Sequence, residues 1–86
     1  IENGKLDCIV GIANAYSNQS EYRKSLEKLL LIDPASSNYS DIQRQKYTDI
    51  VIDSLTKLYK TSPKSANSYL KTFKNRNILP QNFSLK

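Results

Sequence analysis

Apolar residues recur along this chain at intervals of three and four, the spacing that places side chains on one face of an α-helix. Four segments show the spacing, and short polar stretches separate them. The pattern predicts four helices, over residues 5–16, 20–32, 40–59 and 63–75. We therefore expect an all-α, compact four-helix domain.

The first predicted helix is apolar on two sides. One side consists of Leu6, Ile9, Val10, Ala13 and Tyr16, and the other of Cys8, Ile12 and Ala15. A helix that is apolar on two sides is expected to be well buried, Cys8 included. Gly11 lies inside this segment, and its missing side chain indicates that another helix crosses closely there.

Residues that favour helix ends mark the next two segments. Ser20 is predicted to cap the second helix, and Pro34 disfavours helical geometry just beyond its end. Ser40 and Gln43 have the spacing of a capping box at the start of the third helix. An apolar stripe then continues to Tyr59, although whether that helix is unbroken near residues 48–49 stays open.

The fourth helix has its own start and stop signals. Ser62 is predicted to be the N-cap, with Pro63 at the first helical position. The inner stripe consists of Ala66, Tyr69, Leu70 and Phe73. Asn77 is suited to the left-handed conformation that closes many helices. Beyond it, the apolar residues expected to fold back on the core are Ile78, Leu79 and Phe83.

A chain of 86 residues is long enough for one apolar core but not for two. Because the sequence contains no methionine, we expect residues 1–86 to be one helical domain of a longer protein. No apolar run approaches the ~18 residues of a membrane span. The single cysteine cannot form an internal disulfide, so we expect an intracellular protein of the cytoplasm or nucleus.

Positive charge is concentrated at one end of the chain. Residues 1–53 contain six basic and eight acidic residues, whereas residues 54–86 contain seven basic residues and no acidic one. The whole excess of the net charge of +5 therefore lies in the C-terminal third. Such a one-sided field favours a polyanion or an acidic protein surface as the partner.

Side chains that support catalysis are scarce. The chain has no histidine, one cysteine and two glycines, and its acidic residues are scattered. This composition excludes the usual zinc sites, most pairs of nucleophile and base, and a glycine-rich phosphate loop. We expect neither enzyme activity nor a metal, cofactor or small-molecule substrate.

The stretch YKTSPKSANSYLKTFKNRNIL, residues 59–79, combines a capped helix with apolar residues at four-residue spacing. Residues 52–79 resemble the helix-turn-helix and winged-helix DNA-binding families. The resemblance implies that Ala66, Leu70 and Phe73 seat a recognition helix. It places on the outward face Lys64, Ser65, Asn67, Ser68 and Lys71. The turn departs from those families, which usually have a small residue and a glycine where this chain has Tyr59 and Lys60.

The leading prediction is a non-enzymatic module that contacts DNA or RNA through its basic C-terminal third. Basic side chains are expected to bind phosphate, and small polar ones to contact bases. The predicted phosphate contacts are Lys60, Lys64, Lys71, Lys74 and Arg76. The predicted base contacts are Asn67 and Ser68.

The alternative is a helical domain that docks an acidic or amphipathic segment of a protein partner. The stretch ANAYSNQSEYRKSLEKLLLIDP, residues 13–34, resembles a single tetratricopeptide repeat, although its second helix is shorter and no second copy follows. That resemblance implies a helical hairpin that serves protein interaction.

Overall fold

The computed structural model describes residues 2–34 and 39–85. It contains α1 (Glu2–Asn18), α2 (Tyr22–Leu29), α3 (Asp41–Thr61) and α4 (Pro63–Asn75), and no strand occurs among the described residues. The predicted all-α, four-helix domain is confirmed. Part of the loop predicted between the second and third helices, residues 35–38, lies outside the described residues.

The longest helix, α3, is the centre of the fold. It packs against α1, α2 and α4, and α1 also packs against α2. One continuous apolar core results, to which every helix contributes. Its fully buried members include Leu6, Ala13, Leu26, Leu29, Tyr47, Val51, Leu55, Ala66 and Phe73.

The start of α3 follows the predicted capping box. The Ser40 hydroxyl accepts from the Gln43 backbone N–H at 3.1 Å, and the Gln43 side chain accepts from the Ser40 N–H at 2.9 Å. The helix continues without a break to Thr61, two residues beyond the predicted end. Its buried stripe consists of Tyr47, Val51, Ser54, Leu55 and Leu58.

The turn between α1 and α2 differs from the prediction, because Ser20 closes α1 and does not cap α2. Ser20 is in the left-handed region, with φ of 64°. The N–H of Glu21 donates to the Tyr16 carbonyl at 2.9 Å, and that of Ser20 to the Ser17 carbonyl at 3.0 Å. These two bonds form a Schellman motif. Because α1 extends to Asn18, Ser20 lies at the left-handed position that closes this helix. The next helix, α2, begins at Tyr22 and has no side-chain cap.

The predicted burial of α1 on two sides is wrong. Leu6 and Ala13 are buried, but Cys8, Ile12 and Ala15 are exposed. The predicted close helix crossing at Gly11 is also wrong, since a Cβ added there meets no atom within 4 Å. The physical reason is that α2 and α3 cover only one side of α1, and no further helix in the described residues covers the other.

The end of α2 also comes earlier than predicted, at Leu29. The Leu31 N–H donates to the Lys28 carbonyl at 3.1 Å, which tightens the last turn, and the Leu31 side chain is 65% exposed. The buried Tyr47 hydroxyl of α3 donates to the Leu29 carbonyl, and lies 3.3 Å from the carbonyl of Ile32. These bonds satisfy backbone acceptors that the end of a helix leaves without partners.

The predicted start of α4 is correct in position and wrong in mechanism. Ser62 holds the N-cap position and Pro63 is the first helical residue, but the Ser62 side chain forms no capping bond. Its hydroxyl donates to the Ser65 Oγ at 3.1 Å, and the Arg23 guanidinium lies 3.5 Å away. The hydroxyl is therefore engaged by side chains and not by the first backbone amides of α4.

The end of α4 follows the prediction. Asn77 adopts the left-handed conformation, with φ of 61°. The N–H of Ile78 donates to the Phe73 carbonyl at 3.0 Å, and that of Asn77 donates to the Lys74 carbonyl at 3.0 Å. This second Schellman motif turns the chain back, so that Leu79 is buried. Ile78 and Phe83 pack against the core, as expected.

We expect Ser20→Gly to stabilise the domain. Serine pays a steric cost of roughly 1–2 kcal/mol in the left-handed region, which glycine avoids, although glycine gains freedom in the unfolded chain. The net gain should be about 0.5–1 kcal/mol in the free energy of unfolding, measured by urea denaturation. Asn77→Gly is the matched control and should gain less, because asparagine tolerates this conformation better. An unchanged or lower stability of Ser20→Gly would contradict this account of the turn.

Alkaline pH should destabilise the domain through Tyr47. Burial raises the pKa of the Tyr47 hydroxyl well above its ordinary value, and the nearby Arg76 opposes this only in part. Below pH ~10 the Tyr47 hydroxyl keeps its proton in both the folded and the unfolded protein. Above that pH the unfolded protein loses this proton first, so the free energy of unfolding falls by up to about 1.4 kcal/mol per pH unit. In Tyr47→Phe this loss should shrink, whereas stability near pH 7 should drop by about 1–3 kcal/mol, because buried carbonyls lose their donor. Urea titrations of both proteins from pH 7 to 11 measure this, and parallel curves would contradict it.

Candidate nucleic-acid interface

The outward face of α4 is polar, basic and uncovered. Lys64, Asn67, Ser68 and Lys71 are all exposed, and Asn75 continues the same stripe. Their spacing of three and four residues places them on one side of the helix. Four of the seven residues predicted from the sequence are thus brought together on a single surface, which we call the α4 face (Lys64, Asn67, Ser68 and Lys71).

The opposite side of α4 holds it on the core. Ala66 and Phe73 are fully buried, and Leu70 is 6% exposed. These are the positions that the helix-turn-helix resemblance implied as seats. A single residue, Ser62, separates α3 from α4, so the rigid core fixes the direction in which the α4 face points.

Two more lysines lie near the junction of α3 and α4, and they differ in charge environment. Lys60 is in the last turn of α3 and is exposed. Lys57 forms an ion pair with Asp53 at 3.1 Å, and the Ser17 hydroxyl donates to the same carboxylate oxygen at 3.2 Å. The charge of Lys57 is therefore compensated, whereas that of Lys60 is available to a partner.

Lys74 has a structural role within the chain. Its ammonium donates to the Gln81 carbonyl at 3.0 Å, and the Gln81 side-chain amide donates to the Lys74 carbonyl at 3.0 Å. This reciprocal pair joins the end of α4 to the segment that follows it. Lys74 is half-buried, and its position is set by these bonds.

Arg76 also has a partner inside the chain. Its guanidinium donates to the Leu30 carbonyl at 2.8 Å, which lies at the end of α2. A positive charge is favourable there, because the carbonyl end of a helix carries partial negative charge. Arg76 therefore links α4 to α2, and the sequence offered no signal for a contact between residues 46 positions apart.

Arg23 is a basic residue that the sequence analysis did not select. It is exposed on α2, and its guanidinium donates to the Ser65 Oγ at 3.0 Å. The bond places a positive charge beside the first turn of α4, next to the α4 face. In the sequence, Arg23 lies in residues 1–53, whose net charge is negative, so counting charges along the chain does not reveal it.

A cleft of about 550 Å³ opens beside Arg23, between the α1–α2 turn and the α3–α4 junction. Tyr22 and Leu58 form its apolar lining. The polar residues around it are Ser20, Glu21, Arg23, Lys24, Thr61 and Ser62. The Lys24 ammonium lies 3.2 Å from a Glu21 carboxylate oxygen, so the charges of these two side chains offset each other.

A second depression of about 430 Å³ lies between α1 and α3. Val10, Gly11 and Ile50 contribute its apolar part, and Asp7, Asn14, Lys46 and Asp49 its polar part. The exposed Ile12 lies in the same part of α1 but does not line this depression. This surface is lined by both signs of charge and belongs to helices other than α4.

Among the described residues, no cluster of three or more histidine, cysteine, aspartate or glutamate side chains could hold a metal ion. The helices of that part of the chain are also too short or too polar to cross a membrane. No protein family, curated protein or solved structure matches this chain. The α4 face must therefore be interpreted from its own chemistry.

Replacing Arg76 should weaken the fold, whereas replacing Lys71 should not. Arg76→Gln removes the donor to the Leu30 carbonyl, and we expect the free energy of unfolding to fall by about 1 kcal/mol. Lys71→Gln removes a solvated side chain of the same charge from the adjoining helix α4, and should change stability by less than about 0.5 kcal/mol. Thermal and urea denaturation of the two variants measure the difference. Equal effects would contradict the structural role of Arg76.

Proposed function

We propose that this domain is a non-enzymatic binding module that contacts nucleic acid through the α4 face and Lys60. The observation that carries the proposal is the exposed stripe of basic and small polar side chains, which contains no acidic residue. Surface helices are usually solvated by charges of both signs. A stripe of lysines without intervening acids has the charge pattern of a polyanion-binding surface.

The dimensions and chemistry of α4 suit a duplex groove. An α-helix with its side chains is about 10–12 Å across, which matches the width of the major groove of DNA. Lys64 and Lys71 would bind backbone phosphates on entry. Asn67 and Ser68, between them on the same face, would reach base edges, since an asparagine side chain can pair with adenine through two hydrogen bonds.

Lys60, Lys74 and Arg76 extend the positive charge beyond the α4 face. Lys60 precedes α4 and is free to bind phosphate. Lys74 and Arg76 add to the field at the other end of the helix, although each uses one donor group inside the chain. Lys74 and Arg76 would contribute to binding through their charge and through the N–H groups that these two internal hydrogen bonds do not use.

Charge reversal on the α4 face should abolish much of the binding. We expect affinity for a duplex to fall steeply with salt, and Lys64→Glu and Lys71→Glu each to lower affinity on the order of tenfold or more at low salt. Lys46→Glu makes the same change on the α1–α3 surface and should have a much smaller effect. Fluorescence anisotropy with labelled DNA and RNA duplexes measures these constants. If neither nucleic acid binds at low salt, the proposal is wrong.

A second candidate function is protein interaction through an amphipathic partner helix. The observation that favours it is the depression between α1 and α3, in which Val10 and Ile50 form an apolar lining. A helix that fills such a groove contributes apolar anchors at three- and four-residue spacing. An acidic partner would instead bind the α4 face. Absence of nucleic-acid binding, with a well-folded domain, would favour this second function.

A further inference from the structure

The position of the Arg23 side chain is set by the hydroxyl groups of Ser62 and Ser65, at the start of α4. One guanidinium nitrogen donates to the Ser65 Oγ at 3.0 Å and lies 3.5 Å from the Ser62 Oγ. Ser62 in turn donates to Ser65 at 3.1 Å. A side chain held in this way loses less conformational freedom on binding a ligand than a free surface arginine does.

This arrangement leaves hydrogen-bond donors unused. Arg23 has five N–H groups, and the bonds to the serines engage only one of its nitrogens. Ser65 accepts from both Arg23 and Ser62, and it does not line the cleft. The guanidinium of Arg23, which does line the cleft, is thus able to donate to a ligand that offers several acceptor oxygens.

The charges around the cleft favour an anion. Glu21 is offset by Lys24, and Arg23 has no ion pair in the described part of the chain. Glu27 lies one helical turn beyond Arg23, and it helps to raise the pKa of Tyr69, on which burial acts most strongly. Arg23 acts on the pKa of the same Tyr69 hydroxyl in the opposite direction, and Glu27 does not line the cleft. Of the two basic side chains that line the cleft, Lys24 forms an ion pair, whereas Arg23 forms none in the described residues.

We propose that Arg23, oriented by the Ser62 and Ser65 hydroxyls, binds a phosphate group in the cleft beside the α4 face. Phosphate, like carboxylate, matches the geometry of an arginine fork, since two parallel N–H groups bind two of its oxygens. Phosphate is the anion that the proposed function supplies. Arg23 makes the contact, and Ser62 and Ser65 orient it. The inference rests on the proposed function in one respect: the phosphate is taken to belong to the backbone of the nucleic acid on α4.

The cleft adds what the α4 face alone lacks. Lys64 and Lys71 are flexible point charges on one helix, whereas Arg23 comes from α2 and is fixed at the side of α4. A phosphate bound there would set the angle and register of α4 on the duplex, because two separate helices would then hold the same backbone. The apolar side chains of Tyr22 and Leu58 exclude water from one side of the bound group.

The test compares the salt dependence of duplex binding among variants of the whole domain. Arg23→Gln should lower the slope of log K against log salt by about 1, and affinity on the order of tenfold. Arg23→Lys keeps the charge but not the fork, so the slope should stay while affinity falls severalfold. The double variant Ser62→Ala, Ser65→Ala should likewise lower affinity at an unchanged slope, which a purely electrostatic role would not produce. Lys46→Gln, on the α1–α3 surface, is the control for loss of one charge.

A second measurement separates this inference from the proposed function. Inorganic pyrophosphate is titrated into the domain, and the Nε–H signal of Arg23 is followed by NMR, with circular dichroism showing that each variant is folded. A shift of this signal together with the lowered slope supports the inference. If Arg23→Gln binds the duplex with the wild-type slope while Lys64→Glu and Lys71→Glu weaken binding, the inference is wrong and the function stands.

The remaining outcomes are also decisive. If no nucleic acid binds but pyrophosphate shifts the Arg23 signal, the site holds a free phosphate ligand and the proposed function fails. If neither ligand has an effect, both are wrong.

Discussion

The fold depends on hydrogen-bond donors for the last carbonyl groups of α2, its shortest helix. The eight residues of α2 are too few for a helix that is stable alone, and its last carbonyls need donors. Tyr47 supplies one from the second turn of α3, and Arg76 supplies another from the end of α4. The buried hydroxyls of Ser25 and Ser54, 2.9 Å apart, add a further polar contact between α2 and α3. Hydrogen bonds from α3 and from the end of α4 therefore meet at the end of α2, in addition to the packing of α4 on α3.

The distribution of charge in space differs from its distribution along the chain. The C-terminal third contains seven of the thirteen basic residues, but these seven have different roles in the fold. Lys57 is paired with Asp53, and Lys74 and Arg76 stabilise the packing of the chain. In return, α2 brings Arg23 to the first turn of α4. The basic surface therefore loses the charge of Lys57, which the sequence counts toward it, and gains that of Arg23, which the sequence does not. It includes residues of both α2 and α4.

The sequence predicted the structure correctly where a feature depends only on residues close together in the chain. The capping box of Ser40 and Gln43 and the left-handed Asn77 depend on neighbours within a few residues, and both are confirmed. The inner stripe of α4 is confirmed as well, except that Tyr69 is only partly buried. The cap predicted at Ser20 is wrong because a serine is suited to the start of a helix and is tolerated, at some cost in energy, at the end of one. The choice depended on how far α1 extends. The exposure of Cys8 depended on how many helices cover α1, and the position of Arg23 on a contact across 42 residues. Periodicity carries no information about either.

The exposed outer side of α1 has a practical consequence. Cys8 is the only thiol in the sequence, and it lies in solvent on a helix that contributes nothing to the α4 face or to the cleft beside it. A maleimide dye will therefore attach at one defined position and leave the basic surface unmodified. Because that position is on a regular helix of the packed core, the dye will report the rotational diffusion of the whole domain, which slows when a large ligand is bound.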